Sequence, residues 1–204
     1  AREGITRGVH IVGDVMVDVA RLIAPTAVAR SSYPGELGLA GGSYLLATFH
    51  RQSNTVEPSL GRLVGGLTSL DEPVVVPLHP RTRAALVRDG LYDELARSVL
   101  VLPALGYGDF TALLRGARLC LTDSGGVQKE AYLQGVPCVT LRDTSEWVET
   151  IESGWNVLVG DDPGALRRAV AELAPPTERP ELYGDGHAAE RIAALLADDS
   201  WTTG

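Results

Sequence analysis

Basic side chains are scarce in this chain. Its 204 residues carry 18 Lys and Arg against 26 Asp and Glu, a formal charge of -8. A protein that holds nucleic acid over a broad surface needs clustered cations to neutralise phosphates, so that class is excluded. A small anionic ligand is not excluded, because backbone amides can bind phosphate inside an acidic protein. Cysteine is nearly absent: Cys120 and Cys138 each lie in an apolar run (RLCLT and PCVTL) that reads as a buried strand. Neither a disulfide framework nor a cysteine metal site follows. No DxD or HExxH arrangement asks for a metal, and neither a metal nor a cofactor is expected. No apolar run approaches the roughly 18 residues of a membrane span, so no membrane partner is expected. The start, AREGITRGVHIVGD, lacks the basic opening, long apolar stretch and cleavage site of a secretion signal, which makes the cytoplasm the default location. Internal repeats and low-complexity tracts are absent too.

What is present is a regular alternation. The hydrophobic fraction is 45%, ordinary for a globular chain, and the length suits one substantial domain with terminal appendages. Short runs rich in Val, Leu and Ile predict strands at 9–12, 44–49, 74–78, 99–102, 119–122, 138–141 and 156–159. Between them, helical spacing predicts helices at 58–70, 81–88, 108–115, 126–134, 146–152 and 163–173. Near-continuous apolar strands alternating with helices predict an α/β fold, a doubly wound parallel sheet of Rossmann-like type with helices on both faces. Outside it, 13–42 reads as a connector, with a short helical piece at 15–22 and then a loop holding Pro25 and Pro34. The tail breaks at Pro175, Pro176 and Pro180 and ends in a helix at 187–196, and DDSWTTG reads as a frayed end.

Ligands of such sheets sit at the carboxyl ends of the strands, so the polar residues placed there take priority. They are His50 and Arg51, then His79, then Leu105 to Tyr107, then Asp123 to Gly126, then Arg142 to Thr144. In TDSGGVQKE a strand ends, two glycines allow close approach, and a helix begins, so free amides would point outward beside the positive end of a helix dipole. That geometry suits phosphate. Ser124 can add a hydroxyl, and Glu130 can accept bonds from the two hydroxyls of a ribose. The plainer alternative is that Asp123 or Ser124 simply caps the helix. Gln128 and Lys129 are expected to face outward or toward another lobe. Trp147 and Trp155 are read as packing aromatics, Asp161 and Asp162 as a helix cap, and Asp198 and Asp199 as a solvated tail.

The residue order goes further than any single glycine pattern. TDSGGVQKEAYLQGVPCVTLRDTSEWVETIESGWNVLVG, with ATFHRQSN, PLHPRT, LGYGDFTALL and YGDGHAAERI, resembles the non-hydrolysing UDP-N-acetylglucosamine 2-epimerases, in family order over nearly the whole chain. The resemblance implies two Rossmann-like lobes facing across a cleft, as in one large class of glycosyltransferases. Residues 1–42 would then be the end of a preceding lobe and a hinge, 43–174 the nucleotide lobe, and 175–204 a tail returning toward the other lobe. Ser124, Gly125 and Gly126 would contact the diphosphate, Glu130 the ribose and Phe110 the uracil pocket. Arg51 would bind substrate, and His50 would be the catalytic histidine beside the phosphate. His79 matches another family histidine, for which a structural role at the strand end weighs equally.

The implied reaction is inversion at the acetamido-bearing carbon of a UDP-sugar, by elimination and re-addition of UDP. The carboxylates that move the proton would come from the amino-terminal lobe, which is expected to be missing here. A homodimer is implied for the full-length enzyme. Two positions depart from many bacterial members, Leu105 in place of Gln and Trp147 in place of Arg; the second, in EWVET, resembles a branch that includes archaeal epimerases and enzymes acting on UDP-diacetamido-glucuronic acid. Two rivals are the donor lobe of a glycosyltransferase with the same architecture and a non-enzymatic nucleotide-sugar sensor.

Overall fold

The computed structural model describes Gly4 and residues 8–198. Its sheet has strands β1 (Leu45–Thr48), β2 (Val74–Pro77), β3 (Leu100–Leu102), β4 (Leu119–Thr122), β5 (Cys138–Thr140) and β6 (Asn156–Leu158). The helices are α1 (Val15–Arg30), α2 (Tyr33–Glu36), α3 (Ser59–Thr68), α4 (Pro80–Arg88), α5 (Tyr92–Ser98), α6 (Tyr107–Gly116), α7 (Gly125–Gln134), α8 (Val148–Glu152), α9 (Pro163–Glu172) and α10 (Ala188–Ala197). The strand order is β3-β2-β1-β4-β5-β6, every pair parallel. This is the doubly wound order, and its direction reverses between β1 and β4.

The period of two in each strand builds a core on both faces. Leu45, Ala47, Val74, Val76, Leu119 and Leu121 turn to one face, where Leu63 and Leu67 of α3 and Leu166 of α9 cover them. Leu46, Val75, Cys120 and Cys138 turn to the other, beneath Leu113 and Leu114 of α6 and Ala131 of α7. Both cysteines are free and buried, in register across β4 and β5.

Four expectations change. Residues 9–12 form no strand: Val9 is 58% and Ile11 97% exposed, and no neighbouring strand pairs with them. A β-branched run without a ladder partner gains nothing from extension. The helix expected at 15–22 continues to Arg30 through Pro25, because Val17, Ala20, Ala24 and Ala27 form a stripe of small buried side chains. That stripe packs against α6 and α7, and the packing outweighs the hydrogen bond that proline removes. Pro34 lies in the first turn of α2 rather than in a loop. A seventh core-flanking helix, α5, has no counterpart in the predicted set; it is short and anchored by the fully buried Leu95. Most of DDSWTTG lies outside the described residues. Among the described residues, no helix is long and apolar enough to cross a membrane.

Candidate functional site

The carboxyl ends of β1 and β4 meet at the point where the sheet reverses, and Asp123 sits between them with no exposed surface. Its carboxylate accepts from the His50 amide at 3.1 and 3.0 Å, the Arg51 amide at 2.9 Å and Asn54 Nδ2 at 3.1 Å. Arg51 Nε donates back to the Asp123 carbonyl at 3.0 Å. A buried carboxylate is tolerated only when its lone pairs are filled in this way. Asp123 is therefore the clasp that holds the His50–Arg51 segment against the glycine turn, a role distinct from the helix cap weighed above.

The cap itself is Ser124, whose Oγ accepts from the Val127 amide at a long 3.5 Å. Gly125 and Gly126 open α7, so their amides have no carbonyl one turn earlier within the helix, and no protein acceptor meets either among the described residues. A Cβ on Gly125 would stand 3.2 Å from Glu146 Oε2 and 3.3 Å from Trp147 Nε1, whereas one on Gly126 would meet nothing closer than 3.9 Å. The turn is crowded on one side and open on the other. At its far end α7 closes on Gly135, whose φ of 74° is left-handed and costs a glycine nothing.

Two arginines flank the turn. Arg142, just after β5, makes a two-pronged pair with Glu146 at 2.8 and 2.9 Å, and Arg51 approaches the same carboxylate at 3.5 Å. The hydrogen bonds from Arg142 are the main cause that holds the Glu146 carboxyl down at about 2. Arg142 was expected at the ligand edge but given no role from sequence, and Glu146 was not singled out. His50 is half-buried, its Nδ1 3.8 Å from Asp123 Oδ1. The His79 ring lies 5.7 Å away, with its Nδ1 accepting from the Arg81 amide as the cap of α4. That supports the structural role for His79.

Glu130 is half-buried one turn and a half into α7, and burial pushes its carboxyl up. No protein donor reaches it among the described residues. Beside it stands Tyr107 at the start of α6, whose phenol is pushed up first by burial and then by the Glu130 charge. Tyr107 lies directly before the predicted helix start, among the residues expected at the ligand edge, but no role was assigned to it from sequence. Phe110, one turn farther along α6, packs partly buried against the core under that helix. The structure thus gathers His50, Arg51, Ser124, Gly125 and Gly126 into one surface, with Glu130 farther along the same helix.

The outward orientation, one of the two expected for Gln128 and Lys129, is overturned. Gln128 and Lys129 face inward, 1% and 4% exposed. Gln128 Oε1 accepts from Ser145 Oγ at 2.6 Å, tying α7 to the loop after β5, while its Nε2 has no hydrogen-bond partner among the described residues. Lys129 pairs with Asp14 and lies over the Trp147 ring, 3.7 Å from its centroid. Trp155 packs edge-on to Tyr132, as expected of a core aromatic. Asp162 caps α9, and Asp161 pairs with Arg62. Among the described residues no cluster of three or more His, Cys, Asp or Glu could hold a metal ion.

A Rossmann-like lobe with a glycine-opened helix at the switch point defines a class of nucleotide-binding α/β proteins. Comparison with known proteins narrows it. A family model described as UDP-N-acetylglucosamine 2-epimerase matches residues 1–197, and the chain belongs to that family. The chain is 36% identical to a UDP-N-acetylglucosamine 2-epimerase homolog of Methanococcus maripaludis, over 95% of this chain and 56% of the relative. It is 44% identical to the UDP-2,3-diacetamido-2,3-dideoxy-D-glucuronate 2-epimerase of Pseudomonas aeruginosa, over 91% of this chain and 52% of that protein. Among solved structures, the Methanocaldococcus jannaschii UDP-GlcNAc 2-epimerase in complex with UDP-GlcNAc and UDP superposes with a TM-score of 0.88 at 34% identity. That match covers 96% of this chain and 57% of that one. The chain spans about half the length of the relatives it matches.

Proposed function

We propose that this chain is the nucleotide-binding lobe of a UDP-sugar 2-epimerase. One observation carries the reading: the amides of Gly125 and Gly126 stand free at the start of α7, flanked by Arg51 and Arg142, in a chain of this family. The diphosphate lies on the Ser124–Gly125–Gly126 turn, where dipole, amides and guanidinium groups all favour negative charge. Glu130, which no protein donor reaches among the described residues, accepts the ribose hydroxyls, and Phe110 with Tyr107 borders the base.

The family reaction needs a base to remove the proton on the acetamido-bearing carbon while the bond from the anomeric carbon to the UDP oxygen breaks. Re-addition of that oxygen, with proton return on the opposite face, gives the inverted sugar. This lobe's part is to stabilise the leaving diphosphate. His50, held by its own amide on Asp123, keeps a partly exposed ring at the same strand end, and that ring can share a proton with the phosphate. The carboxylates that handle the carbon-bound proton belong to the family's other lobe, so the chain by itself binds UDP and does not epimerise. Residues before about 43 and after about 174 serve as the crossing between lobes, and the full-length protein acts in the cytoplasm as a homodimer.

The principal reading for the sugar is UDP-N-acetylglucosamine, converted to the manno epimer. A second reading, UDP-diacetamido-glucuronate, is favoured by the 44% identity to the Pseudomonas enzyme and by Trp147 at the turn. Calorimetric titration with UDP, UMP and both UDP-sugars tests the proposal. Binding that prefers UDP to UMP is expected; equal or absent binding of the two nucleotides would remove the diphosphate seat, and detectable turnover would remove the claim of inactivity.

A further inference from the structure

Lys129 is the sole lysine of the chain, and it lies buried at 4% exposure in the helix that opens on the phosphate turn. Burying an ammonium is costly unless it is paired, and an apolar residue of similar volume would pack as well without that cost. Its surroundings bring together distant parts of the chain. The ammonium pairs with Asp14, whose other carboxylate oxygen caps α1 by accepting from the Met16 amide at 2.8 Å. It also lies over the Trp147 ring at 3.7 Å and within 5.0 Å of the Tyr183 ring, both distances at which an aromatic face attracts a cation. Trp147 and Tyr183 meet edge to face at 5.9 Å, and the Asp14 amide donates to the Tyr183 carbonyl at 2.9 Å. At the other end, Trp147 Nε1 donates to the Gly125 carbonyl at 2.7 Å. An unbroken chain of contacts therefore runs from Gly125 through Trp147 and Lys129 to the start of α1 and to the tail.

We infer that Lys129 and Trp147 are a positioning pair that couples occupancy of the phosphate turn to the placement of the crossing formed by α1 and the tail. The inference rests on the nucleotide reading of that turn. A ligand on the Gly125 and Gly126 amides fixes the peptide whose carbonyl Trp147 holds. Trp147 in turn seats Lys129, and Lys129 draws Asp14 and Tyr183 inward. Both segments also pack elsewhere, α1 on α6 and α7 and the tail on Tyr132 and Trp155, but the Lys129 cluster is the contact that joins both of them to the opening of α7, so a shift at the turn has a short path to them.

Amide hydrogen exchange by mass spectrometry, with and without saturating UDP, tests this on the chain as it stands. In the unaltered protein UDP is expected to slow exchange at residues 14–20 and 181–186, well away from the turn. Lys129→Met should bind UDP about fivefold more weakly, the lower range of measured couplings, and lose the slowing at those distant segments; Lys129→Arg should retain it. Trp147→Phe keeps a ring beneath the ammonium and deletes only the bond to Gly125, so it should lose the distant slowing with the fold intact. This variant decides the matter even if Lys129→Met fails to fold. Distant slowing that survives in Trp147→Phe, or UDP binding without any distant slowing in the unaltered chain, overturns the coupling alone. Absence of UDP binding by the unaltered chain overturns the nucleotide reading and the coupling with it.

Discussion

The carboxyl edge of the sheet and the α1–tail flank use polar and apolar side chains in opposite ways. At the sheet edge a fully buried carboxylate, Asp123, gathers three donors besides its own neighbours, and the apolar residues behind it are nearly all below 5% exposure. On the flank, α1 leaves Val15, Val19, Leu22 and Val28 exposed, and Ile11 and Leu196 beside it are bare. A cavity of about 500 Å³ separates α1 from the carboxyl end of α7 and the tail. The first region is over-determined, so a ligand meets a surface already in place. The second is held by the buried stripe of α1 on α6 and α7 and by a few polar ties, Asp14 to Lys129 and Asp18 to the Ala188 and Ala189 amides among them, while its outer face is left uncovered and yields more readily than the sheet edge. A rigid seat and a yielding flank are what a lobe needs if binding at one is to be felt at the other.

The largest expected effect comes from breaking the rigid side at its centre. Asp123→Ala leaves the His50 and Arg51 amides and Asn54 Nδ2 without their acceptor in a dry site. The loss is on the order of 3 kcal/mol of stability, read as a lowered urea midpoint at unchanged slope. A loss below about 1 kcal/mol would show that the segment after β1 is not held by this clasp.

Next come changes that spare the fold and strike the ligand. Gly125→Ala improves helix propensity by about 0.5–1 kcal/mol, yet its methyl would press on Glu146 and Trp147 at 3.2 and 3.3 Å. UDP affinity should fall roughly tenfold or more while the melting temperature holds or rises. Glu130→Gln behaves alike for a different reason. Burial raises the folded carboxyl above its unfolded value, so the charged group costs stability above that folded value, and stability falls as pH rises through it. Removing the charge should leave the protein at least as stable at pH 7 and flatten that decline, while UDP binding weakens roughly tenfold. A destabilised Glu130→Gln would mean that the carboxylate serves the fold.

The same contrast explains what the sequence disclosed. All six strands of the sheet were legible to within a residue or two, because buried on both faces they read as unbroken Val and Leu runs. The glycine turn and His50–Arg51 were legible because residues after such runs must lie at the ligand edge. The flank was less so. Pro25 read as a break because the packing of Ala24 and Ala27 on α6 is a tertiary fact, and the VHIV run at 9–12 read as a strand because exposure cannot be seen in a β-branched segment. Lys129 and Gln128 were expected to face outward or toward another lobe. The partner that buries Lys129 is Asp14, 115 residues away, and Ser145 does the same for Gln128 across a strand. Asp123 looked like a possible cap because its partners His50, Arg51 and Asn54 lie in the segment that follows a different strand, β1.

The smallest expected effect tests the flank directly. Leu22→Gln removes a side chain that is 77% exposed on α1, so it should change stability by no more than about 0.5 kcal/mol. Truncating a buried leucine of α6 such as Leu113 would cost about 2–5 kcal/mol. The exposed leucine is kept by neither packing nor helix propensity, since glutamine propagates a helix nearly as well. A clear loss of stability in Leu22→Gln, measured by thermal melting at several protein concentrations, would mean that this face is covered in solution. If the loss also shrank on dilution, the cover would be a second copy of the chain. A change within the small range, independent of concentration, leaves the flank open and yielding, as the coupling through Lys129 requires.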